Sequence, residues 1–255
     1  MEVDSTYYGL PSERNSSLWV DRTPADFTFN VKAFRLFTTH QTPPRALPVE
    51  VRDELPPELK SKKNVYYREM PAPLRGRLWE MFESALQPLK DAGKLGVIVL
   101  QFPPWFMPRR SSFRHLEECK EHLSGFRVAV EFRSRYWLKD DNLETTLGFL
   151  RQNAMSYIAV DEPQGFESSV PPVADVTGEV GMVRFHGRNR DTWEAKGLSS
   201  SAHRFDYYYS PQELEEWVPK VQMMRENASE VHLVVNTNNG DQGIVNARLI
   251  GELTR

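Results

Sequence analysis

The sequence alternates short apolar runs, rich in β-branched residues, with longer segments in which apolar residues recur every three or four positions. Two of the runs, Val97–Leu100 and Leu233–Val235, are continuous, which is typical of parallel strands that are covered on both faces. The runs predict seven strands, at Met1–Asp4, Phe27–Lys32, Leu95–Gln101, Arg127–Glu131, Ser156–Val160, Val180–His186 and Val231–Asn236. Strands that alternate with helices indicate an α/β fold with a parallel sheet.

Apolar stripes with helical spacing predict the amphipathic helices between the strands. One stripe covers Leu74–Leu89 and a second covers Leu143–Leu150. A further helix has a capping signature, because Ser210 can accept a hydrogen bond at its start and Glu213 stands three residues later. Pro219 is predicted to kink that helix, since proline lacks the amide hydrogen that the helix needs.

The stretch Thr38–Lys63 follows neither period and is rich in proline and charge. Long connections without secondary structure are uncommon in compact domains, and those that occur often serve as lids or binding loops. We therefore predict an irregular surface excursion between the second and third strands.

Polar or ionisable residues close the predicted strands, among them Glu131, Arg184, His186 and Asn236. An open doubly wound sheet and a barrel both fit the order of elements, but the glycine-rich nucleotide signatures of open sheets do not occur. In a parallel barrel the carboxyl ends of the strands meet at one rim, where barrel enzymes hold their catalytic residues. Burying Glu131 or Arg184 costs on the order of several kcal/mol unless the charge is paired. The pattern therefore predicts a shared polar site.

The segment MVRFHGRNRD, residues 182–191, begins like a strand and then gathers charge. Since side chains alternate across a strand, we expect Arg184 and His186 to face the mouth of the barrel while Phe185 packs outward against helices. Gly187 is expected to turn the chain so that Arg188 folds over the mouth.

Seven segments carry a family resemblance: EVDSTYYGLPSE, FTFNVKAF, LQFPPWF, VEFRSRYW, RFHGR, YYYSPQEL and VVNTNNGDQGIVNA. They resemble, in the same order, the YecE-like family, also called domain of unknown function 72. The resemblance covers nearly the whole chain and implies one TIM-barrel-like α/β domain over residues 1–255, loosely related to the sugar-isomerase and endonuclease IV barrels. It implies no particular activity, because one fold hosts many functions.

Members of that family usually begin with a glycine- and aromatic-rich strand and a helix before the segment that opens this chain. The resemblance therefore implies seven identifiable strands here, with the family's first strand missing.

Composition narrows the classes of partner. The chain has 255 residues, a net charge of −3 and one cysteine, Cys119. A net negative charge argues against a protein that coats nucleic acid or an anionic membrane. Neither a membrane-spanning run nor a signal-peptide pattern occurs, so we expect a cytoplasmic protein. Cys119 has helical spacing with Leu116 and Leu123, which predicts packing rather than a nucleophilic role.

The candidate site combines acid–base groups with arginines and amides. Predicted catalytic residues are Glu131, His186 and Asp161. Predicted substrate-binding residues are Lys32, Gln101, Arg133, Arg184, Arg188, Tyr7, Trp137, Asn236 and Asn238. Arginine forks match phosphate or carboxylate, and the glycine turn at 238–243 precedes a helix whose first amides bind anions in many barrels. His186, Glu131 and Asp161 could supply metal ligands, but the arginines among them would repel a cation, so we predict no metal. We predict no cofactor either.

Three functions remain open. The first is an enzyme, a hydrolase or an isomerase, that acts on a small phosphorylated or sugar-like anion by acid–base chemistry. The second is a nucleic-acid phosphodiester enzyme or binder, which the charge of −3 disfavours. The third is a barrel without catalytic activity. The sequence indicates no membrane partner and leaves the oligomeric state open.

Overall fold

The computed structural model of the chain describes residues 1–166, 168–195, 197 and 201–255. The chain divides into two compact units, residues 1–106 with 111–128 and residues 107–110 with 129–255. The single domain that the sequence predicts for residues 1–255 stays a prediction.

The first unit alternates strands with helices. Its strands are β1 (Glu2–Val3), β2 (Phe29–Lys32) and β3 (Leu95–Phe102). Its helices are α1 (Ser5–Tyr8), α2 (Glu13–Asp21), α3 (Val49–Asp53), α4 (Pro57–Lys60), α5 (Ala72–Asp91) and α6 (Arg110–His122), with 3₁₀ turns at Pro44–Ala46 and Tyr67–Glu69. β1 pairs with β2 and β2 with β3, both in parallel.

The register between β2 and β3 shifts at Asn30, between Phe29 and Val31. The Asn30 side chain takes over a backbone role there, because its Oδ1 accepts a hydrogen bond from the Val97 amide at 3.1 Å. The predicted apolar stripe at 74–89 is the buried face of α5.

The predicted irregular excursion between β2 and β3 is more ordered than the sequence indicates. It contains α3 and α4, and Val51, Leu55 and Leu59 are buried. The backbones of Thr42 and Val65 form an antiparallel bridge at its neck, with N–O distances of 3.0 and 2.8 Å. Its prolines stand before or at the start of these short helices, where the missing amide hydrogen costs nothing. The prediction of an irregular stretch was therefore wrong.

The second unit carries the other strands. They are β4 (Val128–Phe132), β5 (Met155–Asp161), β6 (Val180–Phe185) and β7 (Glu230–Val235). Its helices are α7 (Asn142–Gln152), α8 (Pro211–Glu215), α9 (Val218–Asn227) and α10 (Gln242–Leu253), with 3₁₀ turns at Arg135–Trp137 and Ser201–Phe205. β5, β6 and β7 pair in parallel in the order in which they occur in the sequence.

The helix predicted to start after Ser210 is two helices. Ser210 and Glu213 form the predicted capping box of α8. Instead of kinking one helix, Pro219 lies in the first turn of a second helix, α9, with Trp217 at its cap. A first-turn proline loses no helical hydrogen bond, which favours a new start over a kink.

Gly187 ends β6 with a turn that a larger residue could not make. Its φ is +84°, and a Cβ there would lie 2.7 Å from Cβ of Tyr207. Both the left-handed backbone and the lack of space require glycine.

Among the described residues, no helix is long and apolar enough to cross a membrane.

Candidate functional site

The register of the second unit assigns its strand residues to two faces. Arg184 lies opposite Val160 of β5 and Val234 of β7, so these three share a face. Phe185 lies on the other face and packs on Tyr209 and Trp217, with ring centroids 5.8 and 5.5 Å away. The predicted alternation is therefore observed: Arg184 faces away from the aromatic residues that flank α8, and Phe185 packs against them.

Glu131, at the end of β4, is the centre of the polar cluster on the face of Arg184. Its side chain is fully buried. Oε1 accepts from Nε of Arg133 at 2.6 Å and from Nε2 of His186 at 3.2 Å. Oε2 accepts from Nη1 of Arg184, which is also fully buried. Three of the predicted site residues thus meet on one predicted carboxylate.

These donors determine the charge of Glu131. Burial alone would raise its pKa, but Arg133, Arg184 and His186 together hold that pKa well below the usual range. Glu131 is therefore ionised at neutral pH. A carboxylate so strongly held is a poor proton acceptor, and its ability to keep two arginines in place is its clearest chemical property.

His186 is held in one tautomer. Nδ2 of Asn236 donates to Nδ1 of His186 at 3.0 Å, so Nε2 carries the proton that points at Glu131. Burial and the nearby charge of Arg133 lower the pKa of His186 to about 3, although Glu131 opposes this. The ring is therefore neutral at pH 7. Asn236 thus positions the histidine, and its predicted contact with a substrate stays a prediction.

Arg133 connects this cluster to a second buried carboxylate, Glu162. Nη1 of Arg133 donates to Oε2 of Glu162 at 3.2 Å, and the amide of Val170 donates to Oε1 at 2.6 Å. Burial raises the pKa of Glu162 to about 7, against the opposing effects of Arg133 and the amide. Glu162 was not among the predicted site residues. The sequence could have indicated Glu162, because Asp161 and Glu162 are adjacent acidic residues at the end of β5. Adjacent side chains alternate between the two faces, so only one of them can share the face of Arg184.

Asp161, which precedes Glu162 in the sequence, lies outside the Glu131 cluster. It lies opposite Phe185, on the face of the sheet away from Glu131. Its oxygens accept from Nη2 of Arg188, the hydroxyl of Tyr209 and Nε1 of Trp217, each at 2.6 Å. These contacts correct two predictions, because Asp161 is separated from the Glu131 cluster and Arg188 folds onto Asp161 rather than over the mouth.

Other predicted ligand contacts of the second unit do not join the cluster. The indole of Trp137 is fully buried and stacks on Phe132 with centroids 4.2 Å apart, which is the position of a core residue and argues against stacking on a ligand. Asn238 is exposed at the turn before α10. Carboxylates flank that turn: Asp241 accepts from the hydroxyl of Tyr208 and Asp206 accepts from Asn239, and both would repel an anion.

Three predicted residues lie in the first unit. Lys32 pairs with Asp4 at 2.9 Å, and its ammonium lies 5.8 Å from the ring centroid of Tyr7. Gln101 lies near the end of β3 and is partly exposed. Their participation in one site with Glu131 stays a prediction.

Within the described part of the chain, no three histidine, cysteine, aspartate or glutamate side chains are grouped so that they could hold a metal ion.

The sequence profile of the family described as protein of unknown function DUF72 matches residues 1–255. The UPF0759 protein YunF of Bacillus subtilis (strain 168) is 31% identical over 256 residues, which cover 99% of this chain and 82% of that protein.

Solved structures of two proteins are similar to nearly all of the chain. A DUF72 family protein from Enterococcus faecalis V583 has a TM-score of 0.81 and 25% identity, covering 99% of this chain and 83% of its own. A DUF72 family protein from Thermotoga maritima MSB8 has a TM-score of 0.72 and 27% identity, covering 97% and 81%. The predicted TIM-barrel-like α/β fold is confirmed, and the chain belongs to the DUF72 family.

Proposed function

We propose that this protein is an enzyme that acts on a small phosphorylated or sugar-like anion by acid–base chemistry, with Arg133 holding the anion and Glu162 transferring the proton. The observation that carries the proposal is the fully buried carboxylate of Glu131, which holds Arg133, Arg184 and His186 beside a second carboxylate that titrates near neutrality. Groups with shifted pKa values concentrate at functional sites.

Exposure decides which arginine meets the ligand. The side chain of Arg184 is 0% exposed, whereas that of Arg133 is 17% exposed. Arg133 already donates through Nε to Glu131 and through Nη1 to Glu162, so these two carboxylates fix the plane of its guanidinium. A guanidinium that is held in this way is prepared for bidentate contact with a phosphate or carboxylate.

Charge balance connects anion binding to a proton. Two arginines and one ionised Glu131 leave a net charge of +1 while Glu162 is protonated and His186 is neutral; ionisation of Glu162 brings the sum to zero. An anion on Arg133 favours the protonated form of Glu162. With a pKa of about 7, that carboxyl can donate a proton to a bound substrate and recover it at neutral pH.

The competing explanation is a structural ion network in a barrel without activity. Buried ion pairs are weak evidence for stability, since a desolvated pair often gains nothing over apolar residues of similar volume. The raised pKa of Glu162 beside the partly exposed Arg133 is the feature that favours an enzyme over such a network.

The test is a thermal-shift screen of sugar phosphates followed by calorimetric titration of any hit in two buffers of different ionisation enthalpy. We expect a hit to raise Tm by roughly 2–4 °C. We also expect its binding near pH 7 to take up a proton in the wild type and measurably less of one in Glu162→Gln, because glutamine cannot titrate and only the phosphate of the ligand still can.

Arg151→Ala is the matched control for Arg133→Ala, because Arg151 forms an exposed pair with Asp175 at 2.6 Å. The proposal requires that Arg133→Ala loses the hit while Arg151→Ala keeps it. Equal loss in both variants, or no shift with any phosphorylated compound, would support the barrel without activity. Binding of duplex DNA that weakens with salt, without any small-molecule hit, would support the nucleic-acid function.

A further inference from the structure

A cleft of about 660 Å³ lies in the first unit, beside the excursion that follows β2. Small-molecule sites typically have volumes of about 300–1,000 Å³. The residues that line it are Arg35, Gln41, Pro43, Pro44, Arg45, Lys60, Lys62, Lys63 and Asn64.

All ionisable side chains of this lining are basic, although the chain as a whole carries a net charge of −3. Lys62 is compensated by Glu69 at 2.6 Å. Arg35, Arg45 and Lys63 form no ion pair within the described part of the chain, and Nζ of Lys60 donates to a neutral backbone oxygen, that of Asp53. Cations that converge without carboxylates repel one another, and a bound anion relieves that repulsion.

A run of surface lysines is usually only a solvated face, but this cleft is built on a fixed frame. The Thr42–Val65 bridge closes the neck of the excursion, and the buried Val51 and Leu59 hold its helices. Arg35 comes from the segment after β2, and its guanidinium lies 5.2 Å from the ring centroid of Tyr7.

An unpaired donor on Arg35 is a second, independent indication that the cleft binds a ligand. Its Nε is buried and has no hydrogen-bond partner in the described part of the chain. Most buried donors in folded proteins are paired, and one without a partner calls for an explanation. Because Arg35 also lines the cleft, an anion that contacts its guanidinium would lie next to this unpaired donor.

We infer that this cleft binds a compact anion with two or more phosphate groups. Several cations around one cavity exceed what a single phosphate needs, and the arginines offer paired donors while the lysines act as point charges. No aromatic ring is among the described residues that line the cleft, and single-stranded nucleic acid prefers a surface of such rings for stacking. The inference does not depend on the function proposed for Glu131.

The experiment is calorimetric titration of the full chain with inorganic tripolyphosphate, inorganic phosphate and a dodecameric oligothymidylate, at an ionic strength near 0.1 M. We expect tripolyphosphate to bind at least about tenfold more tightly than phosphate or the oligonucleotide, with an affinity that falls as salt rises. The double variant Arg45→Ala/Lys63→Ala should weaken tripolyphosphate at least about tenfold, because it removes two unpaired cations.

Arg225→Ala/Arg248→Ala is the matched control, since both arginines are exposed, lie on α9 and α10, and change the net charge equally. Because Arg45 and Lys63 are also exposed, Tm should stay unchanged in both double variants. Equal weakening in the two variants, no binding of tripolyphosphate, or tighter binding of phosphate or the oligonucleotide would each overturn the inference. Failure of the Glu131 proposal would leave these results unaffected.

Discussion

Asp161 and Glu162 are neighbours in the sequence and equally buried, yet their surroundings differ. Asp161 accepts hydrogen bonds from Arg188, Tyr209 and Trp217, which hold both of its oxygens. The side chain of Glu162 accepts from one guanidinium and one amide, and burial raises its pKa to about 7. Burial of a carboxylate therefore does not by itself indicate function. The number and strength of the hydrogen-bond donors around the carboxylate decide whether it is a structural acceptor, like Asp161, or a group that can titrate, like Glu162.

The largest expected effect is on stability, at Asp161. Asp161→Ala leaves the guanidinium of Arg188, the hydroxyl of Tyr209 and the indole of Trp217 without their acceptor. We expect the free energy of unfolding in urea to fall by about 4 kcal/mol. Asp175→Ala, which breaks only an exposed pair with Arg151, should cost less than about 1 kcal/mol. A loss at Asp161 no larger than that of the control would refute the structural role.

The second effect concerns the charge that Glu131 neutralises. Glu131→Gln removes the negative charge that pairs with the fully buried Arg184, and we expect a loss of about 3 kcal/mol. Adding Arg184→Met should restore part of that stability, because a methionine fills similar volume without charge. Urea unfolding of the four members of this double-mutant cycle measures the coupling. Additive losses would show that the two side chains do not act as a pair.

The third effect is on the pH dependence of stability. The raised pKa of Glu162 means that the folded state binds a proton more tightly than the unfolded state. Its contribution is complete below the ordinary pKa of about 4.5 and is lost as pH rises to about 7. Glutamine does not titrate, so Glu162→Gln should gain stability relative to the wild type by about 2 kcal/mol between pH 5 and pH 8.

Urea unfolding at several pH values measures that difference. A free-energy difference between Glu162→Gln and the wild type that stays constant with pH would show that Glu162 titrates normally.

The smallest effect is on the titration of His186. Asn236→Asp replaces the amide that donates to Nδ1 with a carboxylate, which favours the imidazolium. We expect the pKa of His186 to rise above about 3 while stability changes by only about 1 kcal/mol. NMR titration of the ring reports this pKa. Asn227→Asp, an exposed position on α9, adds the same charge and should leave His186 unchanged.

The seven strands of the described residues could all be predicted from the sequence. β4, β5 and β6 are buried along their whole length, and such strands give apolar runs that need no tertiary information, whereas β7 is half-buried and is still apolar enough to be predicted. The meeting of Arg184, His186 and Arg133 on Glu131 follows from charges placed at strand ends. The face of Asp161 could not be predicted, since it depends on the register between β5 and β6.

Two other differences have local causes. Because proline lacks an amide hydrogen, Pro219 is compatible both with a kink inside a helix and with the first turn of a new helix. The packing of Trp217 against Phe185 fixes the start of α9, and Pro219 therefore lies in its first turn. Trp137 follows a strand end, as a ligand-stacking ring would, but its stacking on Phe132 is a contact within the core that the sequence does not show.

The bridge between Thr42 and Val65 has a practical consequence for labelling. The bridge closes the segment between Thr42 and Val65 into a loop, and Ser61 is exposed within that loop. Ser61 stands between Lys60 and Lys62, which line the basic cleft. The one native cysteine, Cys119, is fully buried. A thiol-reactive dye should therefore attach to Ser61→Cys without prior removal of a cysteine, and its fluorescence can report what enters the cleft in real time.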